Sequence, residues 1–223
     1  KDKLAEPALL RWEPWLRDQR AWRPYQLEDS VERVLHEKQV TGRAAWTRLF
    51  DETMSSLRFD LDGEKLSETE ILDKLTEPDR SLRESAARSF GAGLKQHERL
   101  FALITNTLAR DKALEDGWRG FERPVSSRNL ANLVEDEVVD ALVEAVVDAY
   151  PQLSHRYYRL KARWLGLDKL AHWDRNAPLP ESDDRRIPWE EARDTVLQAY
   201  AAFSPELASV GRRFFEKPWI DAP

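Results

Sequence analysis

Apolar residues recur at three- and four-residue spacing along almost the whole chain, and that period decides the fold class. Leu9, Trp12 and Leu16 start it. Val31, Val34 and Leu35 follow, then Trp46, Leu49, Phe50 and Met54. Later segments repeat it: Leu82, Ala86, Phe90 and Leu94, then Val138, Leu142 and Val146, then Leu153, Tyr157, Leu160 and Trp164. A period near 3.6 places such residues on one face of a helix. The chain is therefore expected to be all-α, mainly antiparallel helices.

One stretch departs from this period. Phe59 and Leu61 alternate with polar residues, and Asp62-Gly63 is a tight-turn pair. A short β-hairpin is expected near 57–66, the one piece of β-structure. Ser67 and Glu70 have capping-box spacing and open a short helix through Leu75. From Pro78-Asp79 a long helical stretch is expected over roughly 79–116, with Gly91 and Gly93 inside it. Each glycine costs up to about 1 kcal/mol relative to alanine, so they mark close packing or a break.

Adjacent helices are expected over 136–150 and 151–165. An acidic stripe (Asp140, Glu144, Asp148) on the first could pair with a basic stripe (Arg156, Arg159, Arg163) on the second. A Pro-rich polar loop follows, and Trp189–Phe203 with Pro205–Phe215 form a last helix pair with Ser204 as cap. Four segments result: N-terminal helices and hairpin over 1–66, a long-helix region over 67–176, a loop over 177–188, and the pair over 189–223. The absence of an initiator Met and the abrupt ends suggest a piece of a longer protein.

Composition narrows the function classes. Forty-one acidic residues face 35 Lys and Arg, a net charge of −6, which disfavours binding to nucleic acid. There is no Cys, so disulfides, thiolate-bound zinc and a thiol nucleophile are excluded, and a reducing cytoplasm fits. No run of 18 apolar residues could span a membrane. His36-Glu37 and His97-Glu98 begin like a zinc helix, but position i+4 is Val40 in one and Phe101 in the other, so neither is of that type. No Gly-x-Ser-x-Gly elbow occurs.

The junction at 108–133 is the least explained by helix packing. A helix carrying Leu108, Lys112 and Glu115 is expected to stop at Gly117. A tight segment with Gly120, Phe121 and Pro124 follows, and Ser126-Ser127 are expected to cap the next helix. Arg128, Asn129 and Asn132 lie in that helix's first turns, with the two amides at i,i+3 on one face. Such groups could grip a peptide backbone in a channel. They could equally bond neighbouring backbone and stabilise a crowded joint. Trp173-Asp174-Arg175 resembles an aromatic anchor and ion pair before a loop.

An ordered series of segments resembles a known family. Glu37–Phe50, Asn106–Lys112, Arg128–Asn132, Val138–Leu142, Tyr157–Arg163, Asp174–Leu179 and Phe203–Glu206 are together similar to the middle of oligoendopeptidase F-type zinc peptidases, of the thimet oligopeptidase family. The likeness covers residues 10–223. It implies a helical peptidase that encloses short peptides, with zinc on a His-Glu-x-x-His helix that would lie beyond Pro223. No catalytic or metal-binding residue carries over to this chain. The expectation is a non-catalytic helical portion of a cytoplasmic zinc oligopeptidase. Zinc is expected in the longer parent and not in this chain, which is inactive alone. The expected partners are short peptides and the remaining catalytic part, with neither nucleic acid nor membrane. Apolar surface next to Phe214, Phe215 and Trp219 would favour self-association. The alternative is a free-standing helical module that binds peptides or proteins without catalysis.

Overall fold

The computed structural model describes residues 7–180, 185–217 and 219–220. By contacts the chain divides into two units, residues 1–180 and 181–223. Among the described residues both are helical, and the only sheet is a two-stranded hairpin. The all-α expectation holds.

The first unit begins with a 3-10 segment, Pro7–Trp12, that leads into α1 (Glu13–Ala21). The single helix expected from Leu9 is thus split, with Pro14 in the first turn of α1, a position that suits a residue lacking an N–H. Helices α2 (Asp29–Lys38) and α3 (Arg43–Ser56) follow. β1 (Phe59–Leu61) and β2 (Glu64–Leu66) pair antiparallel, Phe59 opposite Leu66. The turn works because Asp62 and Gly63 both take positive φ, 53° and 88°. α4 (Glu68–Asp73) starts with the expected capping box: Ser67 Oγ accepts from the Glu70 N–H, and Glu70 accepts from the Ser67 N–H at 2.8 Å.

The long stretch expected over 79–116 is two helices, α5 (Arg80–Gln96) and α6 (Glu98–Arg119), broken at His97. His97 has φ −109° and ψ 9°, outside helical values, and its Nδ1 lies 3.3 Å from the Gly93 carbonyl oxygen. Gly93 marks the close approach. A Cβ there would stand 2.6 Å from two carbons of the Phe59 ring, whereas one on Gly91 would meet nothing within 4 Å.

The principal core forms where the hairpin meets α4 and α5. Leu57, Phe59, Leu61, Leu66, Ile71 and Ala86 are buried together, and Met54, Phe90 and Phe101 pack around them. Alternation along β1 puts Phe59 and Leu61 inward and Asp60 outward.

α7 (Ser126–Ala131), α8 (Asp136–Ala149) and α9 (Ser154–Trp164) complete the unit, with a 3-10 turn at His172–Asp174. The apolar faces of α8 and α9 are largely uncovered. On α8, Val138, Leu142, Val143, Val146 and Val147 are between 45% and 62% exposed, and Leu153, before α9, is 67% exposed. Among the described residues, Glu144 and Asp148 form no ion pair with the α9 arginines, and Asp140 pairs with Arg123.

In the second unit α10 (Trp189–Phe203) and α11 (Pro205–Glu216) fold back on each other. Ser204 caps α11 as expected, its Oγ accepting from the Leu207 N–H at 3.2 Å. Gly211 lets the helices approach, because a Cβ there would lie 3.0 Å from the Tyr200 ring. Of the expected loop over 177–188, residues 181–184 lie outside the described residues, as do positions 1–6, 218 and 221–223.

Candidate functional site

The joint at 108–133 takes its geometry from the end of α6. The helix passes Gly117 and ends at Arg119, and Gly120 closes it at φ 80°. The expected stop at Gly117 is therefore two residues early. A helix tolerates an interior glycine at about 1 kcal/mol, and position 120 is where a left-handed cap is required. Phe121 is buried beyond the cap, stacked on Tyr25 at 4.0 Å and edge-on to Trp22 at 6.3 Å.

Arg119 ties this end to α2. Its guanidinium donates to both Glu32 carboxylate oxygens at 2.6 and 3.0 Å, to Glu115 at 2.8 Å and to the Tyr25 carbonyl at 3.2 Å. Those bonds from Arg119, with one from the Leu27 N–H, outweigh desolvation and hold the Glu32 carboxyl down at about 2. Neither the partnership nor the Phe121 stack was visible in local spacing, since the residues lie 87 and 96 positions apart.

The serines do not cap α7, as the sequence suggested. Val125 holds the N-cap position without a side-chain bond. Ser126 Oγ instead donates to Asp136, and Ser127 Oγ accepts from Lys112 Nζ at 3.0 Å. Asp136, at the start of α8, wins the hydroxyl because it is charged. Its carboxyl sits below the ordinary range, held first by Ser126, then by Asn129, whose Nδ2 donates at 2.7 Å. Arg123 completes the clamp with a two-pronged contact to Asp140, 2.8 Å on each side.

The three residues singled out by sequence are thus separated. Asn129 is 6% exposed and its amide binds Asp136, joining α7 to α8. Arg128 is exposed and lines a cleft of about 390 Å³ together with Lys112, Asp111 and Asp116. Asn132 is exposed at the C-cap of α7. The next residue but one, Val134, returns its N–H to the Asn129 carbonyl at 3.1 Å, after Leu133 has turned at φ 56°. That conformation costs a leucine roughly 1 kcal/mol or more, so the joint is held by its bonds against local preference.

A second polar centre lies on α5 and the turn at 172–174. Asp174 is fully buried and accepts from Arg80 Nε and Arg83 Nη2, both at 3.0 Å, and from the Ala171 N–H at 2.9 Å. Burial pushes its carboxyl up, but the bonds from Arg80, Ala171 and Arg83 together bring it below the ordinary range. Arg83, also buried, donates to the Glu77 and Pro78 carbonyls at 2.7 and 2.8 Å. Lys161 Nζ reaches the Arg175 carbonyl at 2.6 Å, and burial, then the nearby Arg83, lowers its pKa. The ion pair expected within Trp173-Asp174-Arg175 is replaced by a longer-range one: Asp174 pairs with Arg80 and Arg83 of α5, and among the described residues Arg175 joins no ion pair. Arg88 stacks over Trp173 at 5.5 Å.

Among the described residues no three His, Cys, Asp or Glu side chains converge to hold a metal ion. The described residues thus supply no converging donor set for zinc, and no catalytic step is assigned to them. At both polar centres the carboxylates, Glu32, Asp136 and Asp140 at the joint and the buried Asp174, are engaged by arginines, an amide and a hydroxyl that join elements.

The likeness inferred from the ordered segments is shown by comparison: the chain resembles the N-terminal helical region of oligoendopeptidase F-type peptidases. A family model described as oligopeptidase F matches residues 1–59. Oligopeptidase PepF of Bacillus subtilis is 27% identical over 208 residues, which is 89% of this chain and 30% of that protein. Group B oligopeptidase PepB of Streptococcus agalactiae is 25% identical over 70% of this chain and 26% of its own length. The solved oligoendopeptidase-F of Enterococcus faecium shares the fold, with a TM-score of 0.72 at 23% identity over 92% of this chain and 40% of that one. The chain spans less than a third of these two curated relatives.

Proposed function

We propose that this chain is the non-catalytic helical portion of a zinc-dependent oligopeptidase that hydrolyses short peptides in the cytoplasm. The observation that carries the proposal is the uncovered apolar face of α8, from Val138 to Val147. Five half-exposed aliphatic side chains on one helix forgo roughly 5 kcal/mol of transfer free energy, at half of the 1.5–3 kcal/mol gained by fully burying each. A soluble domain does not retain such a face without something that covers it. Relatives named as oligopeptidases, more than twice as long as the matched region, supply the natural cover: a catalytic part of the same protein. Zinc would be bound by that part. The lack of Cys fits a reducing compartment. In this reading Arg128 and Asn132, exposed at the joint, face peptide in the channel, and Asn129 fixes the helix that carries them.

The test is to sequence the gene past Pro223. A His-Glu-x-x-His helix in the same reading frame supports the proposal. A stop codon near Pro223 rejects it in favour of a free-standing binding module.

A further inference from the structure

A cavity of about 420 Å³ opens between α9 and residues 168–175. Its walls are mostly apolar, yet five basic residues stand along them in a chain of net charge −6. Arg159, Lys169 and Arg175 line it, with His155 and His172, against one carboxylate, Asp168. Two of the chain's four histidines therefore face one space. Its apolar wall comes from Tyr158, Ala162 and Leu170.

These nitrogens are not spent on the fold. Among the described residues, the side chains of Arg159, Lys169, Arg175, His155 and His172 donate no hydrogen bond to protein and join no ion pair. Arg175 is held only through its backbone, its N–H on the His172 carbonyl and its carbonyl on Lys161, and the two histidines make ring contacts, with Tyr150 and Trp173. The backbone beneath them is fixed. Asp174 is clamped by Arg80 and Arg83, Lys161 holds the Arg175 carbonyl, and the Leu167 N–H bonds the Ala162 carbonyl at 2.8 Å. These contacts fix the backbone that carries the basic side chains beside an apolar wall. Such a frame lowers the ordering cost of binding.

We propose that this cavity receives the end of a short peptide, its C-terminal carboxylate on Arg159, Lys169 and Arg175 and its last side chain against Tyr158 and Leu170. Cations matched to a carboxylate, with a few polar groups in an otherwise apolar recess, suit a small anionic ligand of mixed character. The inference rests on the reading that the parent protein handles peptides.

The experiment is calorimetric titration of the purified chain with an N-acetylated short peptide ending in an apolar residue, as free acid and as C-terminal amide. The acid is expected to bind at least about tenfold more tightly, the effect of one charge-assisted bond. Arg159→Gln and Lys169→Gln should each weaken the acid by about tenfold and leave the amide unchanged. Both side chains are outside the packed core, and circular dichroism confirms that the variants fold. Equal affinity for acid and amide overturns the proposal. So does absence of binding at about 1 mM, or displacement of the acid by equimolar inorganic phosphate, which would mark a site for bare anions. Peptide hydrolysis is not read in this titration. Carboxylate-dependent binding beside an inactive longer protein would sink the peptidase reading and leave the site intact.

Discussion

Gly91 and Gly93 stand two residues apart in α5, and replacing each by alanine should move stability in opposite directions. Both changes add the same methyl group and the same gain in helix propensity, about 1 kcal/mol. At position 91 the methyl meets nothing within 4 Å, so Gly91→Ala should stabilise by about 0.5–1 kcal/mol. At position 93 it would lie 2.6 Å from Phe59 Cδ1 and Cε1, about 1 Å inside carbon–carbon contact. The ring cannot swing aside, because Phe59 is 1% exposed and packs on Phe90 at 5.1 Å between centroids. Overpacking of this kind costs about 1–3 kcal/mol. The propensity gain cancels between the two variants, so the overlap alone should separate them by about 1–3 kcal/mol. Urea denaturation followed by circular dichroism measures the difference, with an unchanged m-value showing that the unfolded states are comparable. Adding Phe59→Leu should lessen the penalty at 93 and not touch the gain at 91. Equal stabilities for the two alanine variants, within about 0.3 kcal/mol, would refute the packing argument for the hairpin against α5.

Three further outcomes follow from the polar centres and the uncovered helix. Asp174→Ala should destabilise by about 3–5 kcal/mol, because it leaves Arg83 buried without its carboxylate. A second change, Arg83→Met, should recover part of that loss in a urea series, and a single-variant loss below about 1 kcal/mol would contradict the clamp. Glu32 has its folded pKa lowered from 4.5 to about 2, so its contribution is complete above pH 4.5 and is lost as pH falls toward 2. Since Glu32 is a third exposed, about 1–2 kcal/mol is expected after screening. The gap between wild type and Glu32→Gln should close over that window and not above it. The chain should bind a hydrophobic dye or dimerise, and Val143→Lys with Val147→Lys should reduce either at little cost in stability, because both side chains are half exposed. A monomer without dye binding would count against an uncovered face.

What the sequence made legible was local. The Asp62-Gly63 turn, the Ser67 capping box and the Ser204 cap each depend on groups within three residues, and all three formed. The break at His97 was not legible as a position. Gly91 and Gly93 signalled that something approached, but the approaching ring belongs to Phe59, on another element. The serines at 126 and 127 had local cap geometry on offer, and a carboxylate ten residues on and a lysine fifteen residues back took their hydroxyls. The spacing of Val138, Leu142 and Val146 marks an apolar seam, and α8 carries it. Periodicity says that such a face needs a partner without saying which chain segment provides it. At the candidate site the same limit applies: Asn129 and Asn132 share a helical face by spacing, yet one is buried against Asp136 and the other is exposed.

The central claim is that catalysis lies outside these residues and peptide handling includes them. Cleavage of a short internally quenched peptide measures this directly, with the purified chain and the full reading frame compared, each with and without added zinc. Zinc-dependent cleavage is expected from the longer product and none from the chain. Cleavage by the chain alone, or inactivity of the longer product with zinc present, would contradict that claim.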